Sequence, residues 1–289
     1  MTILEAIQKS TDFLAKKGVD SPRLQSELLL AHILKTQRLK LYLDYARNLT
    51  DEHTTALRDL VQRRGAREPL QHILGTANFC GLEINVNRHV LIPRPETELL
   101  TEHGWKFLNS LNRESSFLDF GTGSGCIGIA LCHFAPQSHG WAIDQSAEAI
   151  SVAVENAAAN NVVSRLTFLQ SDSFASLDNS LRFDLIISNP PYIPTAEIAT
   201  LQEEVRDFDP RAALDGGADG LDFYRLLAKQ APLYIAPSGK LILEFGDGQE
   251  TALPQIFTPD HWKIETILND YNQRPRILIA HPLRVRGQP

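Results

Sequence analysis

The spacing of apolar residues changes character twice along the chain. Through residues 1–75 it is helical: Leu4, Ile7 and Leu14 share one stripe, and Leu24, Leu28, Leu29 and Ile33 a second. Ser21-Pro22 ahead of the second stripe reads as a cap followed by proline at the first helical position, where a missing N–H costs nothing. Thr50 is expected to cap a further helix with Ala56, Leu57, Leu60 and Val61 inward. Arg63, Arg64 and Arg67 fall on its last turn, where cations offset the helix dipole. Over residues 76–92 the period drops to two, with Phe79, Leu82, Ile84, Val86, Val90 and Ile92 separated by polar or small residues, which predicts a hairpin.

Beyond residue 92 the pattern changes again. Short apolar runs at 117–120, 140–144, 165–170, 183–187 and 240–245 predict buried strands, interleaved with helical stretches at 99–108, 126–134, 147–160 and 221–231. Residues 262–268 and 276–280, joined by a polar turn, predict a closing hairpin. The expected fold class is therefore α/β: a doubly wound, mostly parallel, seven-stranded sheet with a terminal antiparallel hairpin, preceded by a small all-helical domain. The expected organisation is a helical domain over 1–75, a hairpin linker over 76–92 and the sheet domain over 93–289, with the boundary near Gly75.

Candidate chemistry falls at the carboxyl ends of those strands, the edge of an open α/β sheet where ligands sit. Phe183 to Ile187 is cut off by Ser188-Asn189-Pro190-Pro191-Tyr192-Ile193, a rigid turn because neither proline can donate to a ladder and each fixes its own φ. Pro190 offers its carbonyl and Asn189 a side-chain carbonyl beside it. Two such acceptors suit a planar NH2 group: each takes one N–H and the nitrogen's lone pair turns toward an electrophile. Tyr192 would cover the flat face of that group. Gly121-Thr122-Gly123-Ser124-Gly125 follows another strand and opens a helix, so that the backbone can approach a ligand closely at a helix N-terminus. Asp144 ends the next strand, where a carboxylate takes the hydroxyls of a ribose, and Asp172 and Ser173 end a third, within reach of an adenine edge. Each feature also has a plainer reading: Asn189 bonding its own backbone, Asp144 capping the following helix.

Charge and cysteines narrow the function. The net charge of −7 opposes wholesale binding of a phosphate backbone, and residues 76–289 alone carry 16 Lys and Arg against 26 Asp and Glu. The helical domain has 12 against 9, a mild positive excess that makes it the better suited part to touch nucleic acid or an acidic partner, although an ordinary solvated surface accounts for most of those charges. Cys80, Cys126 and Cys132 lack metal-ligand spacing and even pairing, which predicts a reduced, cytoplasmic setting. No basic-then-apolar leader and no long apolar run is present, so neither secretion nor membrane insertion is expected.

With the glycine loop, Asp144 and Asn189 to Tyr192 in place, the chain resembles the Rossmann-like S-adenosylmethionine-dependent methyltransferases. More narrowly it is similar to the bacterial protein-(glutamine N5) methyltransferases that modify peptide chain release factors. The likeness runs almost end to end and is carried most specifically by Ile92-Pro93-Arg94-Pro95-Glu96-Thr97-Glu98 and by Asp219-Gly220-Leu221-Asp222-Phe223-Tyr224-Arg225. It implies S-adenosyl-L-methionine as cofactor, held by Gly121, Thr122, Gly123, Ser124, Gly125, Asp144, Asp172, Ser173 and Asn189. It implies as substrate the Gln of a release factor's Gly-Gly-Gln, held by Asn189, Pro190, Pro191 and Tyr192, with Asn189, Pro190 and Tyr192 catalytic. Ser173 stands where some relatives carry a bulky aromatic residue. A monomer using no metal and binding no nucleic acid is expected. Other readings stay open on the residues alone. An adenine-N6 DNA methyltransferase would use the same Asn-Pro-Pro-Tyr for an exocyclic NH2, but would want a cationic track for its phosphates. A nicotinamide dehydrogenase fits Gly123 to Gly128 and leaves Asn189 to Tyr192 unexplained. A non-catalytic binding protein requires neither.

Overall fold

The computed structural model describes residues 1–283, which form two compact units. One is Met1–Thr76 together with Gln202–Phe208; the other is Ala77–Leu201 with the chain from Asp209 onward.

The first unit is helical: α1 (Ile3–Lys16), α2 (Pro22–Ile33), α3 (Asp51–Gly65) and α4 (Leu70–Leu74), with the single turn α8 (Glu203–Arg206) contributed from much later in the chain. Thr2 opens α1 with a capping box: its hydroxyl accepts the Glu5 N–H while the Glu5 carboxylate accepts the Thr2 N–H. Thr50 caps α3 as expected, accepting the His53 N–H at 3.1 Å. Ser21 does not cap α2: it sits at φ 46° with no side-chain bond, although Pro22 does take the first helical position. The expected stripes are also rotated. Leu4 and Leu24 are 45% and 42% exposed, and the buried faces run through Ile3, Ala6, Ile7 and Leu14 and through Ser26, Glu27, Leu29 and Leu30. The cause in α2 is Glu27, whose buried carboxylate accepts from Arg23 Nε at 3.1 Å, Arg38 Nη1 at 3.0 Å and the Tyr42 hydroxyl at 2.9 Å. A fully paired carboxylate can face inward, and a stripe drawn from apolar residues alone overlooks it. Arg64 is similarly buried, donating to Gln25 Oε1 at 2.6 Å and Glu204 Oε1 at 2.8 Å, while Arg67 donates to Glu204 Oε2 at 2.7 Å. The helix-dipole reading of these cations is thus incomplete: two of them grip α8.

A short hairpin, β1 (Thr76–Phe79) and β2 (Leu82–Asn85), opens the second unit, its first residue being the last of the helical one. The alternation expected to reach Ile92 ends as a ladder at Asn85, and Val86, Val90 and Ile92 are buried without strand pairing. Seven further strands form one sheet in the order β5-β4-β3-β6-β7-β9-β8. β3 (Ser115–Phe120), β4 (Ser138–Asp144), β5 (Leu166–Gln170), β6 (Phe183–Ser188) and β7 (Ile235–Glu244) run parallel. β9 (Pro275–Pro282) lies antiparallel between β7 and β8 (Trp262–Asn269), the single reversed strand. The helices α5 (Pro95–Ser110), α6 (Cys126–Phe134), α7 (Ala147–Ala159), α9 (Asp222–Gln230) and α10 (Leu253–Ile256) cover its faces. α5 begins at Pro95, not at Leu99, because proline is tolerated in a first turn.

Both faces are dry, which is why the parallel strands read as near-continuous apolar runs. Along β3, Phe117 joins the cluster containing Leu100 and Ile129, whereas Leu118 and Phe120 join the one containing Tyr224, Leu227, Phe245 and Trp262. All six residues of β6 are buried. The chain runs outward from β3 through β4 to β5, then returns to place β6 on the other side of β3. The carboxyl ends of β3 and β6 therefore flank the point where the strand order reverses, the natural site for a ligand crevice.

Candidate active site

Gly121, Gly123 and Gly125 follow β3 at φ 73°, 53° and 82°, in the left-handed region that a side chain disfavours, so the loop needs glycine at these three positions. Asp119 lies buried beneath it, accepting the Thr122 hydroxyl at 2.6 Å and the Gly128 N–H at 3.0 Å. Burial pushes this carboxyl up to about 7 against those two donors, and its Oδ1 has no hydrogen-bond partner. Asp144, at the end of β4, accepts the Gly123 N–H on Oδ2 and the Ser146 N–H on Oδ1, each at 2.9 Å. Burial raises its pKa, and the N–H groups of Ser146 and Gly123 oppose the rise. The cap of α7 is Ser146, whose hydroxyl accepts the Ala149 N–H at 3.1 Å. Asp144 is thereby free of that duty and braces the glycine loop.

A cleft opens over these groups, lined by Gly121, Gly123, Asp144, Ser171, Asp172, Asn189 and Pro191, with His89, Val90, Pro210, Ala213 and Phe223 on its other walls. The structure thus gathers at one cleft residues from the ends of β3, β4, β5 and β6. Thr122, Ser124 and Gly125 do not line it; the first two are buried, and Gly125 starts α6. Ser173 also stands off the wall, its hydroxyl accepting the Ala175 N–H and its carbonyl accepting the Ser171 hydroxyl at 2.8 Å. The loop glycines and Asp144 together offer a close backbone approach and a carboxylate acceptor, which fit the polar groups of an adenosine-bearing cofactor.

The Asn-Pro-Pro-Tyr turn leaves β6 tied to the end of β3, because the Ser188 hydroxyl donates to the Phe120 carbonyl at 2.6 Å. Asn189 is half-buried on the cleft wall and Pro190 is buried behind it. Asn189 Nδ2 donates to Thr97 Oγ1 at 3.0 Å, and Thr97 Oγ1 donates to Glu244 Oε2 at 2.7 Å. Tyr192 packs against the second core cluster and is not among the lining residues; burial pushes its phenol up to about 12, so it stays protonated. Its carbonyl accepts Gln249 Nε2 at 3.0 Å, and the same nitrogen donates to the Gly220 carbonyl at 3.1 Å. Gly220 has φ +76°, and a Cβ there would stand 2.3 Å from the Tyr192 carbonyl oxygen, so the Asp219-Gly220-Leu221 turn fits only as glycine. The Gly216 N–H adds a bond to the Ile193 carbonyl at 2.9 Å.

Thr97, Glu244 and Gln249 stand behind the Asn189-to-Tyr192 turn, tied to it by hydrogen bonds directly or through Thr97, and the sequence alone does not single them out. Thr97 lies in a segment explained by its prolines. Glu244 carried a usable signal, a lone acid in the apolar run from Leu241 to Phe245, since an unpaired charge is not buried in a strand.

Comparison with known proteins gives two family models. One described as the PrmC N-terminal domain matches residues 5–75, and one described as the methyltransferase small domain matches residues 97–206. A release factor glutamine methyltransferase of Geobacter sulfurreducens is 46% identical over 257 residues, 89% of this chain and 88% of that protein. One from Chlorobaculum tepidum is 40% identical over 282 residues, 95% of each. Among solved structures, a methyltransferase from Pyrococcus furiosus is 18% identical over 70% of this chain and 89% of its own, with a TM-score of 0.50, a likeness of fold.

Proposed function

Since the chain belongs to the release factor glutamine methyltransferases, we propose that its Asn189 and Pro190 hold the side-chain amide of a release-factor glutamine for methylation at nitrogen. The enzyme transfers a methyl group from S-adenosylmethionine to that glutamine, the one in the Gly-Gly-Gln stretch. The observation that carries the site reading is the position of Asn189 on the wall of the same cleft as Gly121, Gly123 and Asp144.

An amide nitrogen is a poor nucleophile because resonance ties up its lone pair, the same resonance that sets the peptide bond's rotation barrier at ~18–20 kcal/mol. Asn189 Oδ1 and the Pro190 carbonyl each take one N–H of the substrate and turn the nitrogen's lone pair toward the glycine-loop side of the cleft. Alignment of this kind contributes about 7–11 kcal/mol in the best cases. The cofactor, when bound, supplies a sulfonium that makes its methyl electrophilic. Asp144, which braces Gly123, would hold the cofactor by its ribose hydroxyls, and Asp172 would hold it at the adenine edge. Tyr192, kept neutral, fixes the turn through its packed ring and Gln249-bound carbonyl. The N-methylated amide cation is acidic enough to lose its proton to water, so no dedicated base is required.

The helical unit recognises the body of the protein substrate. The enzyme works as a monomer in the cytoplasm, where free thiols at Cys80, Cys126 and Cys132 persist. Among the described residues no helix is long and apolar enough to cross a membrane. The adenine alternative is not favoured, since the relatives that cover almost the whole chain are named for release-factor glutamine. Transfer of tritiated methyl to purified release factor tests the assignment. Label is expected on the parent substrate and lost when its Gly-Gly-Gln glutamine is replaced, with none on duplex DNA; label on DNA alone would overturn it.

A further inference from the structure

Resting on the reading of Asn189 as an acceptor for the substrate's NH2, we propose that Thr97 and Glu244 are positioning residues that lock the Asn189 amide with Oδ1 turned to the substrate. A planar amide fits its space either way round, and only one way presents an acceptor. Flipped, it would set an NH2 against the substrate's own NH2.

The polarity is dictated from the far end of a hydrogen-bond chain. Thr97 has one hydroxyl proton, and it goes to Glu244 Oε2 at 2.7 Å, because an ionised carboxylate only accepts. Oγ1 therefore meets Asn189 with lone pairs and takes Nδ2–H at 3.0 Å, which directs Oδ1 away from Thr97. Water does not substitute in this chain: Thr97 and Glu244 are 3% and 1% exposed. Thr97 is itself fixed, its N–H donating to the Arg94 carbonyl at 3.1 Å and its carbonyl accepting the Thr101 hydroxyl at 2.8 Å. A hydroxyl placed between a buried carboxylate and an amide defines direction, whereas two amides in a row would not.

The lock has a titratable end. Around Glu244 stand Arg94 and Glu96 at the start of α5, Arg276 on β9, Tyr192 beyond β6 and Tyr224 on α9, whose hydroxyl donates to the Glu244 carbonyl at 2.9 Å. Burial outweighs the Thr97 bond and raises the carboxyl to about 7. Once protonated, it can donate to Thr97, whose hydroxyl proton is then released toward Asn189, and the orientation with Oδ1 facing the substrate is no longer imposed.

The test compares kcat, release-factor KM and cofactor affinity for the full-length parent, Thr97→Val, Thr97→Ser, Glu244→Gln, Asn189→Ala and the Thr97→Val/Asn189→Ala double variant. Thr97→Val is expected to lower kcat by about 100-fold, the scale of a misplaced reacting group, with KM and cofactor affinity near the parent's. Thr97→Ser keeps the hydroxyl and should restore most of the turnover. In the Asn189→Ala background Thr97→Val should cost nothing further. The parent's kcat should rise with pH around neutrality, and Glu244→Gln should be lower and flat there. Parent-like turnover in Thr97→Val, or an equal loss in both backgrounds, overturns the lock. If Thr97→Val does not fold, a Glu244→Gln profile matching the parent's does so instead. Full turnover in Asn189→Ala would instead refute the acceptor reading beneath it, so the two failures are distinct.

Discussion

Replacing Asp144 by alanine removes two things at once. The carboxylate is the proposed acceptor for the cofactor's ribose hydroxyls, and its loss there costs about 1.5–3 kcal/mol, the scale of hydrogen bonding to a charged group. It also accepts the Gly123 N–H at 2.9 Å, holding a glycine at φ 53° that has no side chain to steady it. Loss of that neutral-donor bond adds about 1 kcal/mol to the cost of ordering the loop around a ligand. Together these give about 3 kcal/mol, or roughly 100-fold in Kd. Asp144→Asn separates the parts: it keeps the shape, but its NH2 must face either the Gly123 or the Ser146 N–H, both of which need an acceptor. The fold should survive both changes, because the carboxylate's pKa is raised by burial and a neutral group relieves that burial penalty. Calorimetric titration with S-adenosylmethionine measures the effect. A dissociation constant unchanged in both variants would remove Asp144 from the cofactor site.

Three other outcomes follow from the same geometry. Asn189→Ala should cut turnover by about 100-fold while leaving cofactor affinity largely intact, a split that steady-state kinetics and calorimetry read separately. Glu244 has a folded pKa of about 7 against an ordinary 4.5, so the folded state binds more protons between those values and stability falls as pH rises through that window. At about 1.4 kcal/mol per unit the parent loses about 3 kcal/mol there, which Glu244→Gln should not lose; urea midpoints at pH 5 and pH 8 falling equally in both proteins would refute it. Glu204→Ala strands the buried Arg64 guanidinium and should destabilise the helical unit by about 3 kcal/mol, seen as an earlier denaturant transition, whereas an unchanged midpoint would mean the pair contributes nothing.

Much of the sheet unit was legible because its signals are local. Proline ends β6, glycines end β3, and a dry parallel sheet leaves apolar runs that need no partner to be recognised. The residues gathered at the cleft were legible for the same reason, since each lies within a few positions of a strand end. What stayed hidden depends on distant partners. The inward face of α2 turns on Glu27, acceptable inside only because Arg23, Arg38 and Tyr42 reach it. The role of Thr97 appears only once Asn189 and Glu244, 92 and 147 positions away along the chain, close around it. That the Tyr192 ring packs on the second core cluster is also set by residues far along the chain, which no local pattern signals. Membership of Gln202–Phe208 in the helical unit likewise rests on Arg64 and Arg67 pairing with Glu204, which nothing in local sequence signals.

The central claim is that this cleft methylates a glutamine amide held by Asn189 and Pro190. Tandem mass spectrometry of release factor incubated with S-adenosylmethionine and either the parent enzyme or Asn189→Ala tests it most directly. The account predicts one methyl, mapped to the side-chain nitrogen of the Gly-Gly-Gln glutamine, formed by the parent and nearly absent with the variant over the same time. A methyl on any other residue, or equal modification by both enzymes, would contradict it.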